Sequence, residues 1–243
     1  MAGKLYVIGI GPGGTDQMTP RARAAIENSS AVAGYTVYVD LIKSLCVGKE
    51  LLSTAMTQEE ARCRLAFERC ASGENVALVC SGDPGVYGMA GLVLELWEEY
   101  PGVAVEIIAG VTAACAGAAL LGAPLMHDFA VISLSDRLTP LETIWKRVEL
   151  AAQGDFVICI YNPSSRQRRD YLAQACARIQ RYRSPETVCG LVRQIGREGQ
   201  EYRVMTLREL KDWPADMFTT VYVGNSSTRR IGEYMVTPRG YRL

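Results

Sequence analysis

Three times before residue 115, this chain ends a short apolar run in a turn built almost wholly of glycine, proline and small side chains. Leu5 to Ile10 runs into Gly9-Ile10-Gly11-Pro12-Gly13-Gly14, and Val76 to Cys80 into Ser81-Gly82-Asp83-Pro84-Gly85-Val86-Tyr87-Gly88. Val103 to Ile108 leads into Ala109-Gly110-Val111-Thr112-Ala113-Ala114. Such turns let main-chain amides and carbonyls approach a bound molecule, while proline fixes one φ angle and a lone acid, Asp83, supplies a directed acceptor. Each alone is also an ordinary tight turn. Three of them at the carboxyl ends of strands belong on one edge of a parallel sheet, where open α/β folds bind ligands.

The rest of the chain keeps the same alternation. Further apolar runs lie at Ala130 to Leu134, Phe156 to Tyr161, Thr187 to Val192 and Thr220 to Val223. Helix starts fall between them, at Thr19-Pro20, Thr57-x-x-Glu60, Thr139-Pro140-x-Glu142 and Thr206-x-x-Glu209, where threonine caps and proline or glutamate takes its favoured early position. The fold class is therefore α/β. Arg193 to Glu201 forms a turn into an antiparallel ribbon at Tyr202 to Met205, which predicts a mixed second sheet after a mostly parallel first one. A break at Ala123-Pro124-Leu125 follows the small-residue stretch Thr112 to Leu121, so two α/β domains are expected, 1–124 and 125–243.

Composition narrows the function classes. Lysine plus arginine, 26, equals aspartate plus glutamate, 26, so no global field favours nucleic acid and any anionic ligand needs a local cluster. The eight cysteines include no Cys-x-x-Cys pair, and several sit inside apolar runs such as Val157-Ile158-Cys159-Ile160, as reduced, buried small hydrophobes do. Neither they nor the single histidine has metal-ligand spacing. The start Met1-Ala2-Gly3-Lys4 leads directly into a strand and no apolar stretch is long enough to span a bilayer, so a cytoplasmic protein is expected.

The first loop formally matches the dinucleotide pattern G-x-G-x-x-G, which makes a nicotinamide-dependent oxidoreductase the alternative from a different class. Two features oppose it. The next helix start, Thr19-Pro20, comes several residues after the last glycine, and the region of a second strand, Ala31-Val32-Ala33-Gly34-Tyr35, ends without the acid that holds a ribose.

Taken together, the first loop with Thr19-Pro20 and Ala24-Ala25-Ile26, the Ser81 to Tyr87 loop, and Gly110-Val111-Thr112-Ala113 resemble, in order and spacing, the motifs of the tetrapyrrole methylases, the class III S-adenosylmethionine-dependent methyltransferases. The resemblance covers essentially the whole chain. A narrower similarity lies in Gly34-Tyr35-x-x-Tyr38-Val39-Asp40, in His127 to Asp136, in Tyr161-Asn162-Pro163 and in Thr219 to Asn225. It is to the branch that methylates C17 of precorrin-3B or cobalt-factor III with ring contraction, in cobalamin biosynthesis. Methylation at another macrocycle position is the alternative within the family.

The resemblance implies S-adenosylmethionine in a cleft between the two domains, and a homodimer. It implies that Pro12, Ser81, Gly82, Asp83, Val86, Tyr87, Thr112 and Ala113 line the cofactor pocket, closed by Tyr161, Asn162, Gly196, Thr219 and Thr220. Methyl transfer asks mainly for alignment, worth roughly 7–11 kcal/mol of barrier in a well-oriented pair. Ring contraction moves protons and calls for acid–base help, for which His127, the only histidine, and Asp136 are the candidates. A substrate bearing several acetate and propionate groups needs cations, and the guanidinium fork suits carboxylates; Arg21, Arg166, Arg168 and Arg169 are the candidates.

Overall fold

The computed structural model describes residues 1–54, 58–165 and 167–242. It divides into two compact units, Met1–Ala113 and Ala114–Leu243.

The first unit runs β1 (Lys4–Gly9), α1 (Pro20–Glu27), β2 (Ala31–Tyr35), α2 (Thr36–Leu41), β3 (Glu50–Thr54), α3 (Glu59–Ala71), β4 (Val76–Cys80), α4 (Ala90–Trp97) and β5 (Ala104–Ile108). Its five strands are all parallel, in the order β3-β2-β4-β1-β5. Because side chains alternate across a strand, β1 feeds two apolar layers. Leu5 and Val7 pack with Phe67 and Val93 of α3 and α4, whereas Ile8 packs with Ala22 and Ile26 of α1. A sheet covered on both faces explains the unbroken apolar run of β4. It also explains Gly34, where a Cβ would stand 2.7 Å from a Val79 methyl and 2.9 Å from one of Val39.

α5 (Ala113–Leu121) leads into the second unit, which continues β6 (Gly122–Ala123), β7 (Phe129–Ser133), α6 (Leu141–Gln153), β8 (Val157–Tyr161), α7 (Tyr171–Ile179), β9 (Val188–Arg193), β10 (Glu201–Thr206), α8 (Leu207–Lys211), β11 (Thr219–Val223), β12 (Arg229–Ile231) and β13 (Tyr234–Val236). The main sheet has the order β10-β9-β11-β8-β7 and is mixed: β7 and β8 are parallel, while β11 runs antiparallel to both β8 and β9. The expected ribbon is the β9–β10 pair, in register from Glu201 opposite Arg193 to Thr206 opposite Val188. A small second sheet pairs β6 with β13 and β13 with β12.

The join expected at 124/125 stands against a division at Ala113/Ala114. The intervening helix packs within the second unit: Gly117 lies against Tyr222 and Ile195, and Leu121 against Gly190. Two helix starts occur as the caps predict. Thr19 Oγ1 accepts from the amide of Ala22 with Pro20 next, and Thr206 and Glu209 form a reciprocal capping box. At Thr139-Pro140 the cap differs, because Pro140 is the capping residue and its carbonyl receives the amides of Thr143 and Ile144. Thr57 lies outside the described residues.

Candidate functional site

The carboxyl ends of β1, β4 and β5 are neighbours in the first sheet, so their loops meet. They meet at the closest range backbone allows. A Cβ on Gly9 would stand 2.5 Å from the carbonyl oxygen of Gly82 and 2.6 Å from the amide nitrogen of Gly110; one on Gly110 would stand 2.2 Å from Gly82 O. Gly11 and Gly82 exchange two backbone hydrogen bonds, at 3.1 and 2.8 Å, both in the left-handed region at φ +75° and +68°. A side chain at Gly9 or Gly110 would force the loops apart, and one at Gly11 or Gly82 would be strained by the left-handed backbone.

Asp83 ties the arrangement together. One carboxylate oxygen accepts from the amide of Gly85 at 2.8 Å, closing its own turn, and the other from the amide of Gly110 at 3.0 Å, reaching the third loop. Each oxygen keeps one further lone pair for a ligand hydroxyl or amine. Around this knot, Gly82 lies opposite Thr112 and Ala113, with a would-be Cβ 3.6 Å from Thr112 Cα. Pro12 is buried, Ser81 and Val86 are half-buried, and Tyr87 stands 60% exposed with φ +54°, a strained backbone for a bulky side chain.

In the second unit, strand direction gathers another set on one edge. Ser133 ends β7 beside Tyr161, which ends β8, and Thr219 opens β11 opposite Arg193, which ends β9. Two of the residues that follow these strands, Asn162 and Gln194, take φ +52°, and Gly196 takes φ +67°. The Tyr161 hydroxyl accepts from the amide of Ala114 at 2.7 Å. Thr219 donates to Asp216 at 2.9 Å, and Arg193 Nε meets the other oxygen of that carboxylate at 2.8 Å. The amide of Gly196 donates to the side chain of Gln200 at 2.8 Å, and Thr220 is buried in β11.

The same edge carries a polar chain that begins at Asn162, whose side-chain amide donates to Ser133 Oγ at 2.9 Å; the amide of Ser135 donates to the same hydroxyl at 3.2 Å. Arg168 then donates through Nη1 to Ser135 Oγ and Asp136 Oδ1, both at 2.9 Å, and Tyr171 donates to Asp136 Oδ2 at 2.8 Å. The Tyr171 hydroxyl, with Arg168 behind it, holds the Asp136 carboxyl below its ordinary value against partial desolvation. Asp136 is thus an ionised anchor, ill-suited to giving or taking a proton near neutrality.

His127 and Asp136 do not form one acid–base pair. His127 precedes β7 and Asp136 follows it, so they lie beyond opposite ends of that strand, and the Asp136 carboxylate is engaged by Arg168 and Tyr171. His127 is exposed, and its ring makes no hydrogen bond to the described residues. The arginine candidates also scatter. Arg21, on α1, is exposed and bonded to Glu106, which Lys4 also pairs at 2.5 Å; Arg168 is built into the Asp136 cluster; Arg169 is exposed; Arg166 lies outside the described residues. Sequence reasoning passed over Ser133 and Ser135 as side chains, and Tyr171 altogether, since nothing in a helix-opening tyrosine signals a partner in the distant loop after β7.

Among the described residues, no group of three or more histidine, cysteine or acidic side chains could hold a metal ion, and no helix is long and apolar enough to cross a membrane. The nicotinamide objection holds in three dimensions. A short turn at Thr15–Gln17 separates the first loop from α1, and β2 ends at Tyr35.

A doubly wound unit with three interlocked glycine loops, followed by a mixed-sheet unit, matches the family model of the Tetrapyrrole (Corrin/Porphyrin) Methylases over residues 4–211, and the chain belongs to that family. Over 240 residues it is 47% identical to the probable cobalt-factor III C(17)-methyltransferase of Salmonella typhimurium, covering 98% of this chain and 100% of that protein. It is also 47% identical to the cobalt-factor III methyltransferase of Priestia megaterium, but spans only 46% of that longer protein's length. Among solved structures, the methyltransferase CobJ superposes with a TM-score of 0.91 at 38% identity, covering 98% of this chain and 100% of that one. The cobalt precorrin-4 methyltransferase CbiF, at 24% identity and a TM-score of 0.74, shares the fold.

Proposed function

We propose that this protein transfers a methyl group from S-adenosylmethionine to C17 of cobalt-factor III or precorrin-3B, with the associated ring contraction, in cobalamin biosynthesis. The observation that carries the reading is the 47% identity over the whole length of the Salmonella typhimurium protein, whose name states that substrate and position. The CobJ superposition supports the methyl-transfer chemistry.

The first-unit edge fits the donor chemically. Backbone groups of three loops surround a single carboxylate, Asp83, with no cation among the loop residues, which suits a flat, neutral nucleoside with hydroxyls better than a pyrophosphate. Bound there, S-adenosylmethionine would supply the activated methyl group. Gly82, Asp83, Val86, Thr112 and Ala113 would hold the adenosine, Ser81 and Tyr87 would flank it, and Pro12 would form the floor at the methyl end. Tyr161, Asn162, Gly196, Thr219 and Thr220 would contribute from the second unit. Their side chains are already engaged at Tyr161 and Thr219, so these two offer shape and backbone more than new donors. His127 remains a proton-transfer candidate for ring contraction, whereas Asp136 serves Arg168. We further read the protein as a homodimer of the reducing cytoplasm, on the family resemblance and on seven of eight cysteines being buried and unpaired.

The test uses purified protein, S-adenosylmethionine carrying a 13C methyl group, and cobalt-factor III or precorrin-3B. Carbon NMR should place the label on C17 of a ring-contracted product. Label at another carbon alone would establish the rival methylase, and binding of NAD but not S-adenosylhomocysteine would establish the oxidoreductase.

A further inference from the structure

We propose that Arg168 is a preorganised carboxylate receptor, anchored by Ser135, Asp136 and Ser165 so that its Nη2 group is presented to an acidic group of the bound ligand. A guanidinium has five N–H donors in a fixed plane. Three are spent on the protein: Nε donates to Ser165 Oγ at 3.1 Å, and Nη1 to Ser135 Oγ and Asp136 Oδ1, each at 2.9 Å. The two on Nη2 make no hydrogen bond to the described residues, and the side chain keeps 18% of its surface exposed.

The anchors are themselves held. Asp136 Oδ2 takes the Tyr171 hydroxyl at 2.8 Å, and Ser135 is bonded through its amide to Ser133, which also receives Asn162. Arg168 therefore cannot swing as a surface arginine does. An arginine serving only to stabilise this edge would be expected to direct its remaining donors at protein carbonyls, as the buried Arg183 does toward Phe156 O at 2.6 Å. Asp136 already balances the charge of Arg168, so what remains is direction rather than net field: the two donors of one fixed nitrogen, either of which can meet a carboxylate oxygen. In this arrangement Asp136 and Tyr171 are positioning residues.

The inference rests on the reading of this edge as ligand-facing given under Proposed function. A carboxylate could come from the macrocycle or from the amino-acid end of the methyl donor, and the test separates the two. Arg168→Met, Arg168→Lys, Asp136→Asn and Tyr171→Phe are made in the full chain, with melting curves to show that each folds. Calorimetry then measures three probes: uroporphyrin III as a polycarboxylate macrocycle, S-adenosylhomocysteine, and 5'-methylthioadenosine, which lacks the amino-acid end.

Loss of one charged hydrogen bond predicts that Arg168→Met weakens one carboxylate ligand by about tenfold or more and leaves methylthioadenosine within about twofold. Weaker uroporphyrin III identifies the macrocycle as the source; weaker S-adenosylhomocysteine identifies the donor. Arg168→Lys should recover part of the loss, and Asp136→Asn and Tyr171→Phe should show a smaller loss toward the same ligand. Unchanged affinity for both carboxylate probes in the folded variants overturns the receptor, as does an equal loss toward methylthioadenosine. If Arg168→Met does not fold, Arg168→Lys and Tyr171→Phe decide by the same criteria. A wild-type protein that binds these probes yet places no methyl group on C17 would defeat the proposed function and leave the receptor standing.

Discussion

At Gly117 one missing methyl group sets how closely α5 can pack. A Cβ there would lie 2.3 Å from the Tyr222 hydroxyl and 3.0 Å from Ile195 Cδ1. Tyr222 is fully buried and donates to the carbonyl of Ala114 at 2.9 Å, so neither it nor the helix has room to give. Gly117→Ala should therefore destabilise the protein by about 1–3 kcal/mol through overpacking, although alanine is the better helix former. In the double variant with Tyr222→Phe the shortest of these contacts is removed while that to Ile195 stays, so urea denaturation should show part of the loss recovered. A single variant as stable as wild type would mean that the helix shifts freely. The small residues of Thr112 to Leu121 were legible as a closely packed helix. The identity of the partner was not, because Tyr222 stands 108 residues beyond the carbonyl it bonds.

At the scale of elements, apolar strands were easy to read and polar ones were not. The runs at Val76 to Cys80 and Val103 to Ile108 became β4 and β5 almost residue for residue; the central β4 is apolar throughout because it is buried on both faces, whereas β5, at the sheet edge, carries Glu106 and buries only Ile108. β3, an edge strand reading Glu-Leu-Leu-Ser-Thr, and the three-residue β12 and β13 lack that signal. The loops after β1, β4 and β5 were legible as loops of close backbone approach because glycine marks such positions. That Asp83 would fasten one loop to another was not, since its partner is the amide of Gly110, which carries no side-chain signature. Asp83→Asn puts an amide group where one of these two backbone donors points. It should cost about 1–3 kcal/mol in urea unfolding and weaken S-adenosylhomocysteine binding by about tenfold in calorimetry. Unaltered affinity would show that the loops hold their shape without the tie. The narrower family markers split by position: Ser133, Ser135, Asp136 and Asn162 share one edge of the second sheet. Asn225 instead wires a turn at the other, accepting from Ser227 and Thr228, and so marks architecture.

For the molecule as a whole, eight unpaired cysteines form a natural set of reporters, four in each unit. Burial pushes the thiols of Cys63, Cys70 and Cys176 up to about 12 and that of Cys80 to about 11, and drives those of Cys46, Cys159 and Cys189 upward as well. The thiolate is the reactive form, so in the native protein at pH 8 these seven should resist a disulfide reagent and Cys115, on the exposed side of α5, should react first. Each unit closes its own core, one around Phe67 and Ile26, the other around Ile158 and Val221, and each has the length of an independent domain. As urea is raised, mass-spectrometric mapping of labelled peptides should therefore show Cys46, Cys63, Cys70 and Cys80 becoming reactive together. Cys159, Cys176 and Cys189 should become reactive together at a separate midpoint. A single midpoint for all seven would mean that the two cores unfold as one cooperative body, and that the division at Ala113/Ala114 is geometric without being thermodynamic.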